Sequence, residues 1–168
     1  LSKYQDVAEQ YFGKALPKEE ALASVNTAFA REGAFIRIKK GVTADKPVEV
    51  IFISTDHGVE TLAQPRNLVV VEENAEVSII ERHQSLSSKP VLTNTATEIF
   101  ALRDARLNYY KIQNDAKNAS LIDSTSVKQY RGSNVSMGTF SFGNKFIRNN
   151  LNFFMEEEHT ESHMDGIT

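Results

Sequence analysis

The chain has 168 residues, 40% hydrophobic and 24% charged, with a formal net charge of −3 at pH 7. That is the size of one domain with enough apolar content to fill a core, and the acidic balance lacks the basic footprint of a nucleic-acid binder. With no cysteine, a disulfide framework and thiolate metal sites are excluded; no apolar run approaches the ~20 residues that span a bilayer, and no signal-peptide pattern is present.

The chain opens on Leu1 rather than Met, so a longer parent protein is expected. Ser2 to Phe12 reads as a helix, with Tyr4, Val7, Ala8, Tyr11 and Phe12 on one face. Ser2 and Gln5 have capping-box spacing, and Gly13 suits the C-terminal cap. A second helix is expected from Pro17 to Arg31. Pro17 fits its first turn, Glu19 and Glu20 favour the positive end of the dipole, and Gly33 ends it. Leu22, Val25 and Phe29 form its expected buried stripe.

From Gly33 onward a short phrase recurs: a turn residue, a small residue, then alternating apolar positions. It reads Gly33-Ala34-Phe35-Ile36-Arg37-Ile38, Asn74-Ala75-Glu76-Val77-Ser78-Ile79, Asp104-Ala105-Arg106-Leu107-Asn108-Tyr109 and Gly132-Ser133-Asn134-Val135-Ser136-Met137. A partial copy, Asn118-Ala119-Ser120-Leu121, lies midway between the last two. Each unit opens on a turn former and runs into period-2 alternation, so the repeated element is a strand. Strand runs are expected at Val48 to Ser54, Leu68 to Glu72, Ala75 to His83 and Thr95 to Ala101. They continue at Arg106 to Gln113, Leu121 to Tyr130, Val135 to Phe142 and Phe146 to Met155. Evenly spaced strands and corners predict a parallel β-helix, coils stacked about 4.8 Å apart, in preference to an antiparallel sandwich. The small residue fits a tight corner with little room beyond Cβ. The organisation expected is a helical cap over residues 1–32, covering an open solenoid end, and a β-helix core over 33–168.

Candidate chemistry is sparse. Gly138 to Lys145 superficially resembles a phosphate loop. Asn144 separates Gly143 from Lys145, and Phe146 stands where the hydroxyl residue belongs, so Gly143-Asn144 reads as a corner. Between Glu156 and Asp165, His159, Glu161, His163 and Asp165 would share one face of a strand. His159, Glu161 and His163 are the metal candidates, for zinc or ferrous iron, against an acidic solvated corner. His57 and His83 read as surface or structural. Asp56, Asp104, Asp115 and Asp123 read as turn makers rather than the paired carboxylates of sugar-cleaving enzymes. Of Tyr109 and Tyr110, one faces in and one out. No nucleophile–base constellation is present, so no catalytic residue is assigned.

Several phrases, taken in order, resemble the SufB/SufD family of iron–sulfur cluster assembly proteins. They are Val25 to Ile36, Lys46 to Ser54, Pro65 to Ala75, Leu92 to Ile99, Arg148 to Asn152 and Asp165 to Ile167. Lys46-Pro47 and Pro65-Arg66-Asn67 look more like SufD than SufB. The resemblance implies a right-handed parallel β-helix and a non-catalytic cytoplasmic scaffold (plastid in plants) working with a SufB-like β-helix subunit and a SufC-like ATPase. It implies no cofactor resident in this stretch, the iron–sulfur cluster being held transiently by the whole complex. The family continues beyond the position of Thr168 with further coils and a helical region carrying the SufC contact, so no cofactor-binding residue is carried over. Ser162 stands where some relatives have cysteine. An exposed last coil would favour self-association. No nucleic-acid or membrane partner is expected. The alternative is a carbohydrate-binding or carbohydrate-active β-helix, which needs an export signal and a carboxylate-lined groove.

Overall fold

Turn formers alternating with period-2 apolar runs give a chain that coils instead of folding back. The computed structural model describes residues 4–17 and 19–168. Every strand pairing in it is parallel, which excludes the antiparallel sandwich. One sheet runs β1 (Phe35–Ile38), β4 (Arg66–Val71), β6 (Val91–Ala101), β8 (Ala119–Gln129), β10 (Phe146–Met155), with β3 (Thr61–Ala63) also beside β6. The other runs β2 (Val48–Ser54), β5 (Glu76–Ser85), β7 (Arg106–Gln113), β9 (Asn134–Ser141), β11 (Glu161–Ile167). From β4 onward successive strands alternate between the sheets, giving a β-solenoid of about four turns.

At residues 74, 104 and 132 the recurring phrase is the first corner of a coil. The Gly33 copy is a correction, because it leads into β1 of the other sheet, where Phe35 pairs with Leu68. Glu76, Arg106, Asn134 and Glu161 stack in register. Asn74, Asp104 and Gly132, just before them, share the left-handed conformation at φ 57°, 57° and 70°. The corners bond to one another, Asn74 N–H to Arg103 O at 3.0 Å and Asp104 N–H to Arg131 O at 2.9 Å. The small residue that follows is sealed: Ala75, Ala105 and Ser133 are at most 1% exposed. Asn118 belongs to the opposite corner. There its side-chain amide donates to Ser87 O and Lys89 O of the preceding coil, at 3.1 and 2.8 Å.

Alternation sends Val69, Ile99 and Val127 of the first sheet against Ile79, Leu107 and Met137 of the second, with the corner alanines filling the end. Fully burying an Ile or Leu of this kind stabilises by about 1.5–3 kcal/mol.

The helices are shorter than expected, α1 spanning Gln5–Tyr11 and α2 Ala21–Phe29. Ser2 lies outside the described residues, and neither helix has a side-chain cap. Gly13 does follow α1 with φ 75°. Glu20 precedes α2, but its carboxylate is bonded to Ser124 and Asn150. The expected stripe of α2 is corrected: Val25 and Phe29 are exposed, and Ala23 and Asn26 face the protein. An asparagine fits there because its amide donates to Pro65 O and Asn94 O. The helical segment also lies elsewhere than expected. It packs on the outer face of the first sheet, where Ala15 meets Leu68, Val70 and Phe100, rather than over an open end.

Gly33 does not terminate α2. It lets the chain pass close to β4, where a Cβ would lie 1.8 Å from the Arg66 carbonyl oxygen. A Cβ on Gly132 would clash with the Asp104 carboxylate, at 2.1 Å, with backbone no nearer than 3.8 Å, and that half-exposed side chain can swing away. Gly33→Ala is therefore expected to cost about 2–3 kcal/mol and Gly132→Ala about 1 kcal/mol, read from urea midpoints. Equal costs would show that the Gly33 approach is not constrained.

Candidate functional site

The lumen divides along each strand. Near the Asn74/Asp104/Gly132 corner it is apolar; further along, the same inward phase delivers polar groups. Glu81 and His83 continue the phase of Val77 and Ile79 on β5, Lys111 continues that of Leu107 and Tyr109 on β7, and Asp123 and Thr125 follow Leu121 on β8. All are buried.

These groups form one network. Lys111 Nζ donates to Asp123 Oδ2 and Thr125 Oγ1, both at 2.5 Å, and lies 3.9 Å from Glu81 Oε1. Thr125 Oγ1 donates to Asp123 Oδ1 at 2.9 Å. The Tyr109 hydroxyl donates to Glu81 Oε2. His83 Nε2 donates to Glu81 Oε1 at 2.9 Å, and its ring stacks on Phe52 at 5.0 Å. Beside Lys111, a cavity of about 40 Å³ reaches Thr139 and Asn149, enough for a buried water.

The electrostatics follow from burial and pairing. Burial pushes the Glu81 carboxyl up, but Lys111, His83 and the Tyr109 hydroxyl together pull it down to about 2. Burial pulls Lys111 down, and Asp123 and Glu81 outweigh it, leaving the ammonium raised. Burial and the neighbouring Glu81 hold the Tyr109 phenol well above its ordinary value. Glu81 thus stays a carboxylate bridging a phenol, an imidazole and an ammonium. That arrangement can fix the polar lumen rigidly and hold protons at defined atoms.

The metal candidates are not brought together. His159 takes the corner position, with φ 62°, next after Gly132 in the stack of left-handed residues. It is exposed and lies 3.8 Å from Glu158. Glu161 and His163 do share the outer face of β11, where Glu161 accepts from Asn134 Nδ2 at 2.5 Å. Among the described residues no three His, Cys, Asp or Glu side chains are placed to hold a metal ion. Ser162 points inward and donates to Gln129 Oε1.

Asp56, Asp104 and Asp115 are turn makers as expected. Asp56 accepts from Gly58 N–H at 2.7 Å, and Asp115 from Ser85 N–H at 2.6 Å. Asp123 is a correction: it lies within β8 and faces the lumen. Asn144, with φ 71°, makes the corner read at Gly143-Asn144. Tyr109 is inside and Tyr110 outside. His57 is exposed, whereas His83 is a buried structural partner of Glu81.

A second polar centre lies on the outer face of the first sheet. Arg66 Nη2 and Glu98 Oε2 pair at 2.8 Å, both nearly inaccessible. Asn67, on the inward side, places its amide 3.2 Å from Thr97 Oγ1. The Pro65-Arg66-Asn67 phrase thus fixes both faces of β4.

Two family models match the chain. The model for the SUF system FeS cluster assembly, SufBD core domain, matches residues 52–168, and that for the SufBD protein N-terminal region matches residues 1–50. The chain belongs to the SufBD family. An iron–sulfur cluster assembly SufBD family protein of Synechocystis sp. is 26% identical over 166 residues, covering 94% of this chain and 37% of the relative. One from Staphylococcus epidermidis is 29% identical over 121 residues (70% and 25%), and one from Staphylococcus saprophyticus 26% over 148 residues (86% and 31%). The chain therefore spans roughly a quarter to just over a third of the length of these SufBD relatives. No helix among its described residues is long and apolar enough to cross a membrane.

Proposed function

We propose that this SufBD chain is part of a non-catalytic, cytoplasmic scaffold subunit of iron–sulfur cluster assembly, nearer to SufD than to SufB, acting with a SufB-like β-helix subunit and a SufC-like ATPase. The observation that carries the reading is the match of the SufBD core model to residues 52–168, on a solenoid whose carboxylates Glu81 and Asp123 are sealed inside it. Sealed carboxylates cannot reach a sugar, which weighs against the carbohydrate alternative. A parallel solenoid is suited to joining another, because its sheets extend by strand addition. The cluster is cargo of the assembled complex, and Lys46-Pro47 with Pro65-Arg66-Asn67 favours the SufD side.

Affinity purification of the native full-length protein from its own cells, followed by mass spectrometry, tests this. Recovery of an ABC-type ATPase and a sister β-helix subunit is the expected outcome. A native protein that brings down neither overturns the reading.

A further inference from the structure

The outer face of the first sheet is covered by the N-terminal segment, and polar groups do most of the holding. Glu98, with no exposure, accepts from the backbone N–H groups of Gly13 and Ala15 at 2.7 Å and of Leu16 at 3.3 Å, and from Arg66 at 2.8 Å. Asn26 Nδ2 donates to Pro65 O and Asn94 O at 2.9 and 2.8 Å. Glu20 Oε1 accepts from Ser124 Oγ at 2.5 Å and from Asn150 Nδ2 at 2.7 Å, so the segment touches β8 and β10 as well.

Its apolar anchoring is slight. Among the described residues before Gly33, the buried apolar side chains are Ala8, Ala15 and Ala23. Tyr11 adds a ring contact to Phe100 at 4.8 Å, and Phe12 lies over the Arg66 guanidinium at 5.0 Å. Alanine burial contributes little, and helices this short do not hold themselves.

Closure also has a cost. It strips water from the Arg66–Glu98 pair, and burial is what pulls the Arg66 guanidinium down. Asn26 Oδ1, Arg66 Nε and Asn94 Oδ1 are buried with no partner among the described residues, each forfeiting a hydrogen bond to water. Opening would rehydrate all of them. The solenoid beneath has its own core, so nothing in the lumen depends on the segment.

We propose that the N-terminal segment up to Gly33 is a releasable strap. It leaves the sheet as one unit while the solenoid stays folded, with Glu98 as its latch. Release uncovers Leu68, Val70 and Phe100 around the Arg66–Glu98 pair.

Native-state hydrogen exchange on the full-length protein, read by mass spectrometry across a low-urea series, tests the strap. Amides of α1, α2 and the Gly13–Leu16 turn are expected to exchange about 100-fold faster than those of β6 and β8, with one shared urea dependence that is measurable but smaller than theirs. Glu98→Gln keeps the side-chain size, removes the charge facing Arg66 and weakens the three backbone bonds. It is expected to speed strap exchange about tenfold and leave β8 unchanged. Strap amides exchanging no faster than β6 and β8, with the same urea dependence, would overturn the proposal. So would equal acceleration of β8 in the variant. If Glu98→Gln does not fold, the wild-type urea series decides alone.

Discussion

A Lys111→Met protein is expected to lose about 3–5 kcal/mol of stability, measured as a fall in urea midpoint at neutral pH. Methionine nearly matches the lysine stem in volume, so a cavity is not the main cause. The loss is electrostatic. Lys111 is the ammonium that Asp123 holds at 2.5 Å and that lies 3.9 Å from Glu81. Without it, two carboxylates face each other's field inside the lumen, with His83 and Tyr109 left to compensate one of them. Adding Asp123→Asn removes one stranded charge. The double variant is therefore expected to recover about 1–3 kcal/mol relative to additivity. A loss below about 1 kcal/mol in the single variant would mean that water reaches the network and screens it.

The solenoid is legible because its corners are local. Asn74, Asp104 and Gly132 tolerate or favour positive φ, and each is followed by a small residue that the corner buries. Those two requirements write themselves into three successive coils. The register of β5, β7 and β9 then follows from apolar alternation. Helix packing is less local. Leu22, Val25 and Phe29 have helical spacing, yet α2 buries Asn26 because Pro65 O and Asn94 O wait beneath it. Nothing near residue 26 in the sequence announces those acceptors. The Arg66–Glu98 pair joins neighbouring coils in the same unannounced way.

The polar lumen was half legible. Glu81, Lys111 and Asp123 each stand in phase with the apolar residues of their own strand, so phase alone would have placed them inside. Their charge pointed the other way, since single charged residues are seldom buried. Burial becomes tolerable only through partners on other strands: Lys111 meets Asp123 across the lumen, and Tyr109 meets Glu81 from the next coil. His159 shows the opposite error. Its spacing to Glu161 and His163 suits a continuous strand, but the corner period places it at a turn, where its φ of 62° breaks the alternation.

The same network sets an expected pH window for stability. Glu81 titrates at about 2 in the folded chain, whereas an unfolded glutamate titrates near 4.3. Its contribution is present in full above the unfolded value and is lost as pH falls from about 5 towards 2. The shift corresponds to about 3 kcal/mol. On the alkaline side, the raised phenol of Tyr109 and the raised ammonium of Lys111 act together. Their contributions hold below about pH 10 and fade as pH climbs from the unfolded values towards the folded ones. Urea midpoints should therefore be flat between about pH 5 and 9 and fall on either side. Glu81→Gln should lower the plateau yet flatten the acid limb, because the group that must take up a proton is gone. Tyr109→Phe should soften the alkaline limb and leave the acid limb in place. An acid limb equally steep in Glu81→Gln would assign acid lability to groups outside this network.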